Sequence, residues 1–413
     1  MEDPPRPLKV SIVGAGIGGL TAALSLRKNG HHTRIFEVSQ IKTEIGAGVA
    51  LQPNALRVLQ HLGLPRDNLK GRNFDGIVMF DGKTGDGTVG PWLVPEPEPE
   101  CRGLNCHRSD LHDELKRLAI GDGEGPPAQL HLGTQVVSCD PDTGTITLEG
   151  GEIVHADVII GADGIHSTLR TSILDHPVKA PLVGLSCFRC LLDPADLSTI
   201  PDLEWLTDGI HGARSVAWRG GPMRNLFIYY VRNSTLINVV AYFMDPDQDK
   251  LDWAPTATKE ELIEQFSDYH PKFLRLFDLP LVGPVLKWQL KAVPLLPTWI
   301  RGHAALLGDA AHATLPFLGQ GAAMAIEEAG TLGTLLPLGT AREDVPARLE
   351  AYQTLRKERG EFVNTESVAQ AMVPEKRGFY LRSPEMQALL QEHDTIKVAQ
   401  DYFDAHFDAK MEI

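Results

Sequence analysis

The chain has 413 residues, of which 43% are hydrophobic, and its formal net charge at pH 7 is −15. This length predicts two domains with sizeable cores, and the acidic balance argues against nucleic acid or an anionic membrane surface as a main partner. The sequence contains no run of about 18 apolar residues, so it predicts no membrane-spanning helix. Residues 1–7 are acidic and proline-rich, which is not the pattern of a signal peptide.

The five cysteines are an odd number and do not cluster with the spacing of metal ligands. Cys187 and Cys190 form a C-x-x-C, but they fall in a predicted strand, where residues i and i+3 point to opposite faces. The sequence therefore favours reduced thiols over a redox pair or a metal site, which fits a reducing cytoplasm.

The first predicted strand, residues 10–13, leads into a glycine-rich turn and an apolar helix over residues 20–26. Gly14, Gly16 and Gly19 have the G-x-G-x-x-G spacing of a dinucleotide-binding turn. In such a turn the first glycine permits the tight bend, the second lets the backbone approach a pyrophosphate, and the third lets the helix pack against the strand. The helix N-terminus offers N–H groups and a positive dipole end to the phosphates.

A second predicted strand, residues 33–37, ends in Glu37, whose carboxylate could accept hydrogen bonds from a ribose. Glu37 lies about 20 residues beyond the glycine turn, as a dinucleotide fingerprint requires. Strand, turn, helix, second strand and acid occur in this order, which favours a dinucleotide site over a chance glycine turn. The motif by itself leaves NAD and FAD both open.

Apolar runs, alternating stretches and turn signals predict further elements along the chain. They comprise a helix at 53–62, a hairpin over 76–89, a surface linker at 92–100, a helix at 109–118 with Ser109 as its N-cap, strands within 129–153 and a buried strand at 158–160. Half-buried strands follow at 182–192, 215–218, 225–231 and 236–243. The later elements are a helix at 259–266, a buried strand at 304–307, and helices at about 322–335 and 350–366.

The strand-rich block between about 180 and 290 interrupts two α/β blocks. This pattern predicts an α/β fold: a Rossmann-like domain with a parallel sheet, interrupted by a mainly antiparallel β-sheet domain and followed by C-terminal helices. We assign residues 1–75, 100–178 and 291–372 to the nucleotide-binding domain, 76–99 and 179–290 to the substrate-binding domain, and 373–413 to a C-terminal helical segment. The inserted sheet would place a second wall over the cofactor, where a substrate can be enclosed.

Two later motifs combine glycines with a carboxylate at the end of a buried strand. Residues 157–170 read D-V-I-I-G-A-D-G-I-H-S-T-L-R, and a tight turn would bring the Asp163 carboxylate beside a bound polar group. A simple β-turn capped by Ser167 is the alternative. Residues 308–312 read G-D-A-A-H, and the strand before them delivers Asp309 to the carboxyl edge of the sheet, where it could accept from a ribityl hydroxyl.

Residues 316–322 read P-F-L-G-Q-G-A and lead into the predicted helix at about 322–335. Gly321 and Ala322 would expose backbone N–H groups at a helix end that stabilises negative charge. A reduced flavin is anionic along its N1–C2=O edge, so this helix end suits a flavin. A plain loop before a core helix is the alternative.

Taken in order, these motifs resemble the single-component FAD-dependent aromatic hydroxylases, especially the salicylate-hydroxylase-like monooxygenases of fungal natural-product type. The resemblance extends from residue 9 to about residue 366. It rests on the glycine turn, G-A-G-V-A-L-Q-P-N-A at 46–55, H-R-S-D-L at 107–111, G-A-D-G at 161–164 and the two motifs from 308 to 322.

The resemblance implies FAD as cofactor and assigns further residues to it. It implies that Glu37 binds the adenosine ribose, that the backbone at Gly48 and Ala50 contacts the flavin, and that Arg108 reaches FAD from the helix it precedes. The remaining residues implied to bind cofactor are Asp163, which is linked to FAD and nicotinamide handling, Asp309, at the ribityl chain or pyrophosphate, and Gly321 and Ala322, at the pyrimidine edge.

The resemblance also implies the reaction. NADPH or NADH reduces FAD, O2 adds to give a flavin C4a-hydroperoxide, and this species hydroxylates a phenolic or related aromatic substrate, with or without dearomatisation, in secondary metabolism. The protein would position the substrate and exclude water, while the cofactor carries the oxidising chemistry. Two alternatives stay open: an epoxidase or reductase on the same fold acting on a non-phenolic substrate, and a non-catalytic flavin-binding protein.

Two side chains are candidates for contact with the substrate. Arg189 matches a strand arginine that orients phenolic substrates in fungal relatives, and a cation beside a phenolate would stabilise it. A solvated or ion-paired arginine is the alternative. Tyr229 and Tyr230 are adjacent on a strand, so only one can face the pocket, and Tyr229 aligns with the family's pocket tyrosine.

Overall fold

Two large sheets organise the chain, and each is covered by its own apolar core. The computed structural model describes residues 6–40, 47–218, 220–245 and 256–407. The first residue of the predicted 46–55 motif, both termini and part of the predicted substrate-binding domain therefore lie outside the described residues.

The first sheet has six strands and carries the glycine turn. Its strands are β1 (Lys9–Val13), β2 (His32–Glu37), β8 (Gln129–Leu132), β12 (Val158–Gly161), β19 (Ile300–Arg301) and β20 (Ala304–Leu306). β1 pairs in parallel with β2 and β12, β2 with β8, and β12 with β20, while the edge strand β19 is antiparallel. The central strands are buried on both faces, which explains their continuous apolar sequences.

Helices pack around this sheet and extend beyond it. They are α1 (Ile17–Lys28), α2 (Pro53–His61), α3 (Arg108–Ile120), α4 (Thr168–Leu174), α7 (Asp309–His312), α8 (Gly321–Leu335), α9 (Val345–Met372), α10 (Pro384–Gln391) and α11 (Thr395–His406). α1 packs between α3 and α8, which joins the glycine turn to the C-terminal part of the chain.

The predicted N-cap of α3 is wrong. The helix begins at Arg108, and the His107 side chain caps it by accepting a hydrogen bond from the Ser109 N–H at 3.3 Å. The imidazole nitrogen of His107 takes the place of the hydroxyl that the sequence pattern suggested, because the preceding strand ends at His107 and feeds directly into the helix.

The second sheet has eight strands that come from two separate stretches of the chain. They are β5 (Gly76–Asp81), β6 (Gly87–Pro91), β13 (Leu182–Leu192), β14 (Ala213–Ala217), β15 (Arg224–Val231), β16 (Leu236–Met244), β17 (Thr256–Ala257) and β18 (Val285–Lys291). Their spatial order is β17–β18–β13–β16–β15–β14–β5–β6. The β5–β6 hairpin is confirmed, and β5 joins the sheet by a parallel pairing with β14.

Smaller elements complete the fold. The short strands β3 (Gly48–Leu51), β4 (Arg72–Asn73) and β7 (Leu104–His107) form a sheet between the two large ones. β9 (Val136–Asp140), β10 (Thr145–Leu148) and β11 (Ile153–His155) form another. α5 (Lys259–Gln265) and α6 (Pro271–Leu274) cover the outer face of the eight-stranded sheet. The predicted α/β fold with an inserted, mainly antiparallel sheet and C-terminal helices is confirmed.

The cysteines behave as the sequence predicts. All five are buried and free of disulfides. Cys187 and Cys190 lie on β13, and they belong to apolar cores on opposite faces of the sheet. Among the described residues, no helix combines the length and apolar character needed to cross a membrane.

Candidate active site

The three glycines of the N-terminal turn meet different surroundings. A Cβ on Gly14, whose φ is +101°, would lie 2.3 Å from the Ala162 carbonyl oxygen, and one on Gly19 would lie 2.0 Å from the Gly14 oxygen. A Cβ on Gly16 would have no described atom within 4 Å. Gly14 and Gly19 are therefore required by contacts within the protein, whereas Gly16 opens onto free space at the N-terminus of α1. This is the concave surface that a pyrophosphate needs.

Glu37 lies beside this turn at the end of β2. One carboxylate oxygen accepts a hydrogen bond from the Ala15 N–H at 2.7 Å, and the other accepts from the Ser39 N–H at 2.8 Å. These bonds fix the carboxylate against the glycine turn. An adenosine ribose whose pyrophosphate lies at Gly16 would be within its reach.

Strand β3 lies between the glycine turn and the eight-stranded sheet. The Gly48 N–H donates to Asn238 Oδ1 at 2.8 Å, and a Cβ on Gly48 would lie 2.5 Å from the Tyr229 ring. Arg108 begins α3, and its N–H donates to the Ala47 oxygen at 2.8 Å. The structure therefore brings Gly48, Ala50 and Arg108 together around one short strand.

The Asp163 carboxylate is held by the start of α4. It accepts hydrogen bonds from the Ser167 hydroxyl at 2.6 Å, the Thr168 N–H at 2.7 Å and the Leu169 N–H at 3.1 Å. Burial raises the pKa of Asp163, and these donors act in the opposite direction. This geometry matches the capped-turn alternative, and it holds the loop that packs against Gly14.

Asp309 begins α7 at the end of β20, and its side chain is exposed. The loop before it is fixed by Glu328, which is fully buried and accepts from the Gly308 N–H at 2.7 Å. Glu328 also bonds His312 at 2.6 Å. Burial disfavours the charged imidazole, but the neighbouring Glu328 and Asp309 carboxylates act together against it, and the pKa of His312 is raised. Glu328 and His312 thus position the loop, and Asp309 stays available to a ligand.

The start of α8 is exposed to the same region. No described side chain caps its first turn, and a Cβ on Gly321 would meet only Thr314 Cγ2, at 3.9 Å, among the described atoms. Gln320 is held by Gln52, whose Oε1 accepts from Gln320 Nε2 at 2.7 Å. Gly321 and Ala322 therefore present a helix end that can stabilise the anionic edge of a flavin. Together with Gly16, Glu37 and Asp309, these groups fit FAD.

A cleft opens between the eight-stranded sheet, β3 and the loop before α8. It contains about 1130 Å³ of space between protein atoms, including its mouth. Its aromatic walls consist of Phe74, Phe80, Trp92, Trp218, Phe227, Tyr242, Phe317 and Tyr380. Polar groups are fewer. The sheet contributes Arg224 and also Ser215 and Asn225, which are joined by a hydrogen bond of 3.0 Å, and the other polar residues are Gln52, Gln370 and Arg377. A mostly apolar cleft with few polar groups is typical of a site for a small aromatic molecule.

The register of the sheet determines which side chains face the cleft. A row of directly opposed residues crosses five strands and consists of Arg189, Val240, Phe227, Ser215 and Met79. These side chains share one face, and Tyr229 shares it because it lies two residues beyond Phe227. Tyr230 lies on the other face, where the Arg72 guanidinium stands 5.0 Å from its ring centroid.

Arg189 and Tyr229 lie on the cleft face, but neither lines the cleft itself. Tyr229 is buried against Gly48, and burial raises the pKa of Tyr229, while the nearby Arg189 charge lowers it. Arg189 Nε is buried without a hydrogen-bond partner among the described residues. Burial raises the pKa of Tyr242, which lines the cleft, and the nearby Arg189 charge opposes this rise. The Tyr229 ring centroid lies 5.7 Å from that of Phe227, which also lines the cleft.

Sequence reasoning missed several residues of the cleft. Asn225 could have been found, since it has the same parity on its strand as Tyr229, which was predicted to face the pocket. Ser215 lies on a strand for which no pocket residue was predicted. Trp92 was assigned to a surface linker, yet its indole N–H donates to the Phe74 oxygen at 2.7 Å and its ring lines the cleft. Tyr380 comes from the C-terminal segment, and no local pattern indicates that this segment returns to the site.

Comparisons with known proteins agree with this geometry. A family model described as an FAD binding domain matches residues 7–367. Hispidin-3-hydroxylase from Neonothopanus nambi is 43% identical over 408 residues, which cover 95% of each chain. FAD-dependent monooxygenase cfoG from Aspergillus candidus is 33% identical over 86% of this chain and 83% of its own.

Solved structures show the same architecture. A salicylate hydroxylase in a substrate complex matches with a TM-score of 0.71 and 26% identity over 98% of this chain and 96% of its own. CtdE in complex with FAD and a substrate matches in fold with a TM-score of 0.80 and 22% identity, over 98% and 100% of the two chains. The sequence resemblance and the predicted FAD cofactor are confirmed. The chain belongs to the FAD-binding-domain family and is an FAD-dependent monooxygenase of the aromatic hydroxylase type.

Proposed function

We propose that the protein hydroxylates a phenolic or related aromatic compound with NADPH or NADH as electron donor. One oxygen atom of O2 enters the ring and the other leaves as water, while the nicotinamide supplies two electrons. The observation that carries this proposal is the aromatic cleft, which is lined by Ala50, a residue assigned to the flavin by resemblance, and by Gly319, two residues before the start of α8. The proposal includes reactions with dearomatisation and a role in secondary metabolism in a reducing cytoplasm, which the buried, unpaired cysteines support.

FAD supplies the oxidising chemistry when it is bound, and the protein supplies binding, orientation and exclusion of water. The α8 N-terminus stabilises negative charge on the pyrimidine edge, and Asp309 and Glu37 bind hydroxyl groups of the cofactor. The apolar walls of the cleft keep water from the reacting atoms. Asn225 and Ser215 offer polar contacts to a substrate hydroxyl.

We propose that Arg189 and Tyr229 favour the substrate in its phenolate form. An electron-rich ring is the better acceptor of an electrophilic oxygen atom, and a nearby cation stabilises the phenolate that makes the ring electron-rich. The buried, unpartnered Nε of Arg189 supports this role, because burial in a medium of low dielectric constant strengthens its field at the cleft.

The first candidate substrate is hispidin, the compound in the name of the 43% identical relative. The test follows NADPH and NADH oxidation by the flavin-loaded protein with hispidin, with salicylate and with no aromatic compound. Hispidin is expected to accelerate oxidation and to yield about one hydroxylated product per nicotinamide consumed. Mass spectrometry should show the gain of one oxygen atom, derived from ¹⁸O2 when that gas is supplied. Unaccelerated oxidation with a panel of phenols, or a product without new oxygen, would contradict the proposal.

A further inference from the structure

We propose that Tyr380, in the C-terminal segment, is a specificity-determining residue that presents a fixed aromatic surface to the substrate. This inference rests on the proposed function, because it places the aromatic substrate in the cleft described above. Tyr380 lies in a short helical turn between α9 and α10, and its side chain is almost fully buried. Its ring lines the cleft beside Leu381.

The hydroxyl group of Tyr380 is engaged by two glutamine side chains. It donates to Gln52 Oε1 at 2.7 Å and accepts from Gln391 Nε2 at 2.9 Å. Both glutamines are buried, and burial raises the pKa of Tyr380, so the phenol stays neutral and keeps its proton for Gln52. The substrate therefore meets the ring of Tyr380 rather than an acid or a base.

Tyr380 is one of three rings that form an aromatic corner. The Tyr380 and Trp92 centroids are 5.8 Å apart, and Trp92 meets Phe74 edge-on at 4.9 Å. Trp92 is anchored by its indole N–H and Tyr380 by its hydroxyl, so neither ring turns freely. Aromatic pairs prefer edge-on or offset contacts, and a corner of fixed rings selects flat, conjugated substrates over aliphatic ones of equal volume.

Gln52, which accepts the hydrogen bond from Tyr380, also contacts the cofactor side of the cleft. Gln52 Oε1 accepts from Gln320 Nε2 as well, and Gln52 Nε2 donates to the Leu318 oxygen at 2.9 Å. Gln320 directly precedes Gly321 at the start of α8. One glutamine thus fixes the aromatic wall relative to the helix end that faces the flavin, which sets the distance between a ring stacked on Tyr380 and the reacting atoms.

The test compares Tyr380→Leu with Tyr380→Phe in the flavin-loaded enzyme, with hispidin as the probe. The leucine variant removes the ring, and we expect KM to rise about tenfold, which corresponds to the loss of one aromatic contact, with kcat changing less than KM. The phenylalanine variant keeps the ring and should restore KM to within about threefold of the parent value. Because the phenylalanine variant lacks the hydroxyl group that bonds Gln52 and Gln391, its ratio of hydroxylated product to nicotinamide consumed should fall.

Tyr402→Leu is the matched control, since Tyr402 lies on α11, stacks on His406 and does not line the cleft. Phe227→Ala reports whether the cleft is the substrate site at all. If Phe227→Ala raises KM and Tyr380→Leu does not, the inference about Tyr380 is overturned while the proposed function stands. If neither variant changes KM, the cleft assignment fails with it. A phenylalanine variant with the same KM as the leucine variant would also overturn the inference, because the ring would then contribute nothing.

Discussion

At the residue scale, we expect two glycines of the same motif to have different roles: Gly14 is needed for folding and Gly16 for cofactor binding. Gly14 has a positive φ and no room for a Cβ, whereas Gly16 has open space and an ordinary φ of −71°. Gly14→Ala should therefore destabilise the apoprotein by about 1–3 kcal/mol, because it adds backbone strain and a steric overlap with Ala162. Gly16→Val should lower the apoprotein Tm less than Gly14→Ala does, because it costs only the N-cap preference of α1, and it should weaken FAD binding at least about tenfold.

Thermal melting of the apoprotein and titration with FAD measure the two effects separately. Gly150→Ala is the control, because Gly150 also has no described atom within 4 Å of a Cβ but lies in a surface turn. It should change neither quantity. Normal FAD affinity in Gly16→Val would mean that the pyrophosphate does not lie at this turn.

Asp309 and Arg189 are expected to give opposite phenotypes. Asp309→Asn removes an exposed carboxylate on the cofactor side, and FAD affinity should fall about tenfold or more, as for a lost charge-assisted hydrogen bond. Arg189→Ala should keep its flavin and lose hydroxylated product, because Arg189 lies on the cleft face of the sheet. Flavin absorbance after gel filtration and the ratio of product to nicotinamide consumed distinguish the two variants. An Arg189→Ala protein that purifies without flavin would contradict the assignment of Arg189 to the substrate.

At the scale of elements, local pattern predicted most of the fold. The strand at 182–192 is confirmed with both of its ends, and the helix predicted from about 322 is observed as Gly321–Leu335. The helix predicted at 350–366 is instead Val345–Met372, since tertiary packing extends it at both ends beyond its amphipathic stretch. The parallel pairing of β5 with β14 could not be predicted, because a strand has the same alternation whichever neighbour it pairs with.

The C-terminal helices depend on a buried charge that sequence pattern did not indicate. Glu327 on α8 is fully buried and accepts from Arg356 at 2.5 Å and from Arg359 at 2.8 Å. Arg356 also donates to His393 Nε2 at 3.3 Å, in the loop between α10 and α11. This network forms only when α8, α9 and the loop between α10 and α11 pack together. The local sequence of any one of these elements therefore does not predict it.

His393 makes the docking of these helices pH-dependent. Burial and the neighbouring Arg359 and Arg356 charges lower the pKa of His393, and Glu327 and Asp394 oppose them. The net effect lowers this pKa from 6.5 to about 4. The folded state therefore favours the neutral imidazole, and the stability it contributes is complete above pH 6.5 and is lost as pH falls toward 4. The difference amounts to at most about 3 kcal/mol.

Urea unfolding of the holoenzyme between pH 4.5 and 7 measures this loss against His393→Gln, which cannot titrate. His31, His107 and His166 also have lowered pKa values, but they are shared by both proteins and cancel in the difference. The parent protein should lose more stability than the variant as the pH falls. Equal slopes would show that His393 is protonated equally readily in the folded and unfolded chains.

At the scale of the whole molecule, the cleft exists only where separate parts of the chain meet. Besides β3 and the Phe74 and Trp92 rings, three parts form it: the eight-stranded sheet contributes one face, the loop before α8 contributes the cofactor side, and the C-terminal segment contributes Tyr380 and Leu381. The motifs mark the cofactor side because phosphate and flavin binding require particular residues at particular spacings. The substrate side has no such motif, since aromatic walls can be assembled from any elements that come together. Arg189 and Tyr229 were predicted from the family resemblance, and no pattern in the sequence indicated Trp92 or Tyr380.

Substrate binding should therefore stabilise all three parts together. With hispidin at about 100 times its Kd, the bound state gains about 2.7 kcal/mol over the free protein, and amide hydrogen exchange should slow in β5, in residues 316–319 and in residues 377–381. Helix α5 covers the outer face of the sheet and serves as the internal control. Those of its amides that exchange by local fraying should keep a constant rate, because fraying of α5 does not release the ligand. Slower exchange in the first two segments alone would show that the C-terminal segment does not close the cleft around the substrate. Slower exchange in α5 as well would indicate general stabilisation of the sheet rather than contact with a ligand, because no residue of α5 lines the cleft.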